Sequence, residues 1–189
     1  INNKGYVITN YHVVEGCRST PKIMFDDNAV EAKVVARDRN LDLALLKTNL
    51  RNTTYIPLSK DPPRKLQRII AAGYPFGKYV SDDMKFTSGI ISSLKGIGDD
   101  STRLQIDAAL NPGNSGGPII NEETGELVAV AVAGLRKDKT ESVNFGIKTI
   151  SVKNFLESNQ INTRTFIKKF NRESVAALLE KSTLYTFCK

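Results

Sequence analysis

The run Asn111-Pro112-Gly113-Asn114-Ser115-Gly116-Gly117-Pro118 constrains this chain more than any other stretch of it. Its glycines allow backbone conformations closed to other residues and let a ligand approach the main chain closely. The serine at its centre has no apolar side chain to bury, so packing does not account for it. Read alone, the run is a Gly-rich turn between two strands. Read as chemistry, it is a nucleophile whose neighbouring backbone N–H groups converge on a developing oxyanion. Two upstream residues tilt the choice toward chemistry. His12, the one histidine in the chain, follows the β-branched run Tyr6-Val7-Ile8-Thr9, which reads as a strand. Asp42 lies in Asp38-Arg39-Asn40-Leu41-Asp42-Leu43-Ala44-Leu45-Leu46, where a carboxylate among apolar residues is costly to bury without hydrogen-bond partners. Each has an ordinary explanation alone: a half-buried imidazole, and a cap where a strand begins. Together His12, Asp42 and Ser115 supply base, base-orienter and nucleophile, spaced widely enough to arrive on different loops.

The remainder reads as β structure. Strands are expected at about 6–10, 22–25, 29–36, 43–48, 69–73, 84–93, 103–108, 118–121, 127–134 and 143–148. Within 29–36, Val30, Ala32, Val34 and Ala36 alternate with Glu31, Lys33 and Val35, as in a half-buried strand. Many short strands with turns between them point to an all-β barrel or sandwich. Asp61-Pro62-Pro63 reads as the link between two halves, and Glu122-Glu123-Thr124-Gly125-Glu126 as a hairpin turn. Two helices follow. Ser151 caps a helix over 153–158, and Val175, Leu178 and Leu179 form the apolar face of another over 173–181.

With 189 residues, 40% hydrophobic and no Trp, the chain is sized for one domain or two half-domains sharing a cleft. No segment has the apolar length of a membrane span. The net charge of +7 lacks the aromatic interleaving of a nucleic-acid face, so no nucleic acid is expected as a partner. Cys17 and Cys188 have no zinc-ligand spacing. The acidic pairs Asp26-Asp27, Asp82-Asp83, Asp99-Asp100 and Glu122-Glu123 fall in turns, and none has the EF-hand pattern. No cofactor and no metal is expected.

The stretches 5–14, 38–48, 73–77, 87–92 and 107–120 resemble, in order and in spacing, the trypsin-like serine proteases of the HtrA/Deg type. The resemblance spans roughly residues 1–158. It implies an all-β fold of two six-stranded antiparallel β-barrels with the active site between them, plus C-terminal helices. The first barrel would take about 1–60 and be N-terminally incomplete. The second would take about 66–150, with a closing helix at 151–158 and a helical and strand extension at 159–189. His12 and Asp42 would come from the first barrel and Ser115 from the second. The oxyanion hole would be the backbone N–H groups of Gly113 and Ser115, with help from Asn114. The activity implied is that of a serine endopeptidase acting through an acyl-enzyme on unfolded or damaged proteins, in protein quality control. The setting implied is extracytoplasmic, periplasmic or secreted. Polypeptide substrates are the expected partners, and a homo-oligomer is left open. The family often appends a PDZ domain, for which residues 159–189 are too few. The expectation is therefore a protease domain without a PDZ domain, or a chain cut before one. Two rival readings keep the same fold: a catalytically silent peptide-binding module, and a viral-type processing protease.

Specificity reads by exclusion. Trypsin-like enzymes that select Lys or Arg carry an acid six residues before the serine, and this chain has Ala109 there. Those that cut after Glu use a second histidine, which this chain lacks. Ala109, Leu110, Ala131, Val132, Ala133 and Phe145 are the expected lining, which favours a small aliphatic residue before the scissile bond. Asn114 stands where digestive relatives carry an Asp that pairs with a freed N-terminus, so activation is not expected to need that cleavage. Loops at 78–85, 95–102 and 136–142 are the expected places for another switch. The family's chain usually enters the first barrel through a glycine-rich strand ahead of the residues matching Ile1. The favoured expectation is that this strand belongs to a lost N-terminus. The other is that Thr183-Leu184-Tyr185-Thr186-Phe187-Cys188 fills the gap, pinned by a Cys17–Cys188 disulfide in an oxidising compartment.

Overall fold

The computed structural model describes residues 1–51, 54–75, 83–132, 143–163 and 172–188. In chain order these carry strand β1 (Tyr6–Thr9), helix α1 (Tyr11–Glu15), strands β2 (Lys22–Phe25), β3 (Asn28–Glu31), β4 (Lys33–Asp38) and β5 (Leu43–Lys47). Strands β6 (Arg68–Gly73), β7 (Lys85–Ser93), β8 (Arg103–Ile106), β9 (Pro118–Asn121), β10 (Leu127–Val132) and β11 (Asn144–Lys148) follow. Helices α2 (Thr149–Ser158) and α3 (Arg172–Ser182) and strand β12 (Thr186–Phe187) complete the chain. Ala133 and the expected switch loops at 78–82 and 136–142 lie outside the described residues.

Strands β6 to β11 close into a six-stranded antiparallel barrel in the order β10-β11-β8-β7-β6-β9. Alternation fills it: Ile69 and Ala71 of β6 join Leu104, Ile106, Ile119 and Ala129 in one interior cluster. The sequence Leu127-Val128-Ala129-Val130-Ala131 of β10 is apolar without a break because both its faces are covered. Val128, Ala129 and Ala131 point into the barrel, while Leu127 and Val130 meet Val152, Phe155 and Leu156 of α2.

The first half departs from the expected closed first barrel. It consists of two three-stranded sheets, β1-β5-β4 and β12-β2-β3. The expected single strand over 29–36 breaks at Ala32, whose N–H donates to the Pro21 carbonyl at 2.8 Å between β3 and β4. That bend carries the chain from one sheet into the other. Among the described residues no ladder joins β1 to β12, so these sheets do not close on each other. Strand β5 ties the half together through its period-2 alternation. Leu43 and Leu45 face the α2 cluster between the halves, and Ala44 and Leu46 face Val14, Ile23 and Ala32.

Helix α3 lays Val175 and Leu179 on Ala72, Met84 and Ile120 of the second half. The chain then turns back to the first half, where Thr186 and Phe187 pair with Ile23 and Lys22 of β2. Cys188 is bonded to Cys17, with 5.4 Å between Cα atoms and 171 residues between them in sequence. The expected tail strand and the Cys17–Cys188 bridge are both present, with only part of 183–188 in the ladder and its partner being β2.

Candidate active site

The site begins with a turn. Asp42, between β4 and β5, has φ 59°, a left-handed conformation that Asp tolerates better than most residues. The Leu41 N–H donates to Asp38 Oδ1 at 2.9 Å and holds the turn's entrance. The Asp42 carbonyl accepts the Tyr11 N–H at 3.1 Å and the Asn10 side-chain amide at 3.0 Å, which locks the start of α1 against the turn. Its carboxylate then takes two donors from one residue. Oδ1 accepts the His12 backbone N–H at 2.9 Å, and Oδ2 lies 2.8 Å from His12 Nδ1. A carboxylate only accepts, so in the neutral imidazole Nδ1 carries the hydrogen and Nε2 is left with its lone pair. The imidazole is 43% exposed and the Asp42 side chain 14% exposed, so the basic nitrogen is accessible while its orienting partner is largely shielded.

Ser115 sits in a turn braced from within. The Asn114 N–H donates to the Asn111 carbonyl at 2.9 Å, and the Gly117 N–H to the Asn114 carbonyl at 2.9 Å. The Asn114 side-chain oxygen accepts the Asn111 N–H at 3.3 Å. Asn114 therefore spends its N–H inside the turn and is buried, so it braces the turn. Gly116 is tied to the barrel: its N–H donates to the Ala131 carbonyl at 3.0 Å. At φ 79° it rests so closely on the end of β1 that an added Cβ would strike Thr9 Oγ1 and lie 3.0 Å from the Asn10 nitrogen. That close approach seats the Ser115 turn against the residues that lead into α1. Gly113, at φ 103°, accepts the Tyr74 N–H at 3.2 Å through its carbonyl.

His12, Gly113, Ser115 and Gly116 line one cavity of about 530 Å³ between the halves, together with Leu184 and Tyr185 from the C-terminal segment. The expected pocket residues other than Ala133 are placed outside this cavity. Ala109 is exposed and its carbonyl accepts the Thr87 hydroxyl at 3.0 Å. Leu110 and Ala131 are buried in the barrel interior, Phe145 is buried and Val132 half-buried. None of these lines the cavity. Sequence reading did not single out Asn10, Tyr74 or Tyr185. For Asn10 a signal exists, since Asn just before a helix is a common cap residue. Tyr74 and Tyr185 carry none, because their role depends on which turn and which ring they meet. Among the described residues no cluster of His, Cys, Asp and Glu could hold a metal ion, and no helix is long and apolar enough to cross a membrane.

A six-stranded barrel, a second β half, and a cavity between them lined by His12 and Ser115 agree with what the comparisons with known proteins find. A model of the trypsin-like peptidase domain matches residues 1–130, and the chain belongs to that family. Its relatives are of the HtrA/Do type. It is 36% identical over 166 residues to the serine protease Do-like HtrA of Bacillus subtilis (strain 168), covering 82% of this chain and 36% of that protein. It is 38% identical over 138 residues to a probable periplasmic serine endoprotease DegP-like of Rhizobium meliloti (strain 1021), covering 70% of this chain and 26% of that one. The crystal structure of the serine endoprotease from Yersinia pestis superposes with a TM-score of 0.67 at 32% identity, over 84% of this chain and 54% of that one. The chain thus spans well under half the length of the two relatives, at 36% and 26%.

Proposed function

We propose that the protein is a serine endopeptidase in which His12, Asp42 and Ser115 form the catalytic triad. The observation that carries this reading is the double grip of the Asp42 carboxylate on His12, beside a cavity that Ser115 shares. His12 Nε2 takes the Ser115 hydroxyl proton as the oxygen attacks a peptide carbonyl, and returns a proton to the departing amine. Asp42 keeps the imidazole in the required tautomer and stabilises the imidazolium. Backbone N–H groups of Gly113 and Ser115 stabilise the oxyanion, an effect worth about 3–4 kcal/mol for a single donor. Water then hydrolyses the acyl-enzyme.

Substrates are unfolded or damaged polypeptides, as the sequence resemblance to HtrA/Deg proteases implies, and a small aliphatic residue precedes the scissile bond. That preference rests on the sequence alone, which has Ala109 where relatives that select Lys or Arg carry an acid. An oxidising, extracytoplasmic compartment is supported by the Cys17–Cys188 bridge. The test is degradation of casein by the purified protein together with labelling by a fluorophosphonate. Hydrolysis and label are both expected in the wild type and absent in Ser115→Ala. Label that persists in Ser115→Ala refutes the nucleophile; peptide binding without hydrolysis or label establishes a silent recognition module instead.

A further inference from the structure

We propose that α3 and β12 form a strap that sets the Ser115 turn and the His12 helix relative to each other, with Tyr185 as its positioning residue. The proposal rests on the serine-peptidase reading of the site. One end of the strap is fixed to the second half of the molecule by Val175 and Leu179, buried against Ala72, Met84 and Ile120. The chain leaves α3 with the Thr183 N–H still bonded to the Leu179 carbonyl at 2.8 Å. Residues 182–186 then run along the wall of the cavity that holds His12 and Ser115. Leu184 packs against the buried cluster that includes Val14 of the His12 helix. The other end joins the first half twice. Tyr185 accepts the Met24 N–H at 2.9 Å ahead of the β12 pairing, and Cys188 is bonded to Cys17 just beyond α1.

Tyr185 stands where these anchors meet the site. Its ring stacks on Phe187 at 5.6 Å and meets Tyr74 edge-on at 5.9 Å and 64°. Tyr74 in turn holds the oxyanion turn, since its N–H donates to the Gly113 carbonyl at 3.2 Å. Gly113 lies so close that an added Cβ would strike the Tyr74 carbonyl oxygen. A shift of Tyr74 is therefore passed to Gly113 directly. Burial, and then the nearby Asp83 and Glu180 carboxylates, push the Tyr74 phenol up, so it stays uncharged against its aromatic partner. A segment that touches the oxyanion side through Tyr74 and the His12 side through Leu184 and Cys188 fixes the spacing of nucleophile and base. Small errors in that spacing are costly, since a misplacement of about 1 Å can lose 10²-fold in rate.

The experiment compares wild type, Tyr185→Ala, Tyr185→Phe and wild type treated with dithiothreitol. In the last, the S–S bond takes up two electrons and two protons to give two thiols, and the dithiol closes to its own cyclic disulfide. Hydrogen exchange over 71–75 and 111–118 is read by mass spectrometry and needs no activity. Casein hydrolysis per fluorophosphonate-titrated serine is read as kcat and KM. Tyr185→Ala and reduction are expected to speed exchange in both segments. They should lower kcat roughly ten-fold or more with KM changed less than about two-fold. Tyr185→Phe, which retains both ring contacts, is expected to match wild type. Unchanged exchange in Tyr185→Ala overturns the proposal, as does wild-type kcat per titrated serine in that variant. A wild type that neither cleaves nor labels refutes the peptidase reading instead, and exchange alone then decides whether the strap holds the turn.

Discussion

One carboxylate at Asp42 satisfies both the backbone and the ring of His12, and an isosteric change separates these duties. In Asp42→Asn the amide oxygen still accepts the His12 N–H, but an NH₂ group then faces Nδ1. The imidazole must accept there, so its hydrogen moves to Nε2, the nitrogen that base catalysis needs bare. Folding is expected to survive, while kcat falls about 10⁴-fold, the scale that a wrong tautomer produces in triad enzymes; steady-state peptide hydrolysis with circular dichroism as control checks this. Gly116→Ala tests the seating of the serine turn. A left-handed backbone costs a Cβ-bearing residue about 1–2 kcal/mol, before the collision with Thr9 is counted. The Ser115 turn should move off β1, and fluorophosphonate labelling should slow by roughly 10²-fold or more. Labelling at the wild-type rate would mean that the turn does not depend on this approach. His12, Asp42 and Ser115 could be singled out in the sequence as candidates because the chemistry proposed for them resides in their identities. The inward N–H of Asn114 could not, since a backbone direction is set by the turn that surrounds it.

Period-2 alternation decides most of the elements, and Leu179 in α3 shows the helical counterpart. It is fully buried on Ala72, Met84 and Ile120. Leu179→Ala should destabilise the protein by about 2–5 kcal/mol, read from the midpoint of urea unfolding. A shift of a few tenths would show that α3 is not docked on the barrel. The strands of both halves could be placed from sequence because each is a short apolar or alternating run bounded by turn residues. Helix α1 could not, since it has only five residues, too few for a 3.6-residue period to show. The break at Ala32 was equally hidden: its apolar side chain continues the alternation of 29–36, and only the Pro21 carbonyl shows that its N–H has left the ladder. The tail alternates over 183–188, yet β12 holds only Thr186–Phe187. Thr183 still belongs to the last turn of α3, and Leu184 is drawn into the cluster under α1, so the ladder starts late.

The connections between the halves decide how the molecule holds together. The cluster of Leu43, Leu45, Val130, Val152, Phe155 and Leu156 joins them on one side, and the strap returns from the second half to the first on the other. The Cys17–Cys188 bond closes a loop of 171 residues, nearly the whole chain. A cross-link of that span removes much of the freedom of the unfolded chain. Chain-entropy reasoning gives about 5 kcal/mol for a loop this long, with about 2–4 kcal/mol typical of measured bonds. Opening the bond also frees the outer edge of β2, which pairs with β12. Urea unfolding of oxidised protein should therefore run about 2–5 kcal/mol above that of reduced, alkylated protein. Cys188→Ser should track the reduced form. The same comparison separates two roles for the bond. If it acts on the unfolded chain alone, reduced protein below its unfolding midpoint keeps the tertiary circular dichroism and β12 exchange protection of the oxidised form. If it also holds the tail in place, protection at 185–187 is lost first, while the barrel of β6 to β11 stays folded. The short ladder favours the second outcome, since two paired residues cannot match the ordering entropy of a tail whose far end has been released. Coincident unfolding curves for oxidised and reduced protein would show that the bond contributes to neither.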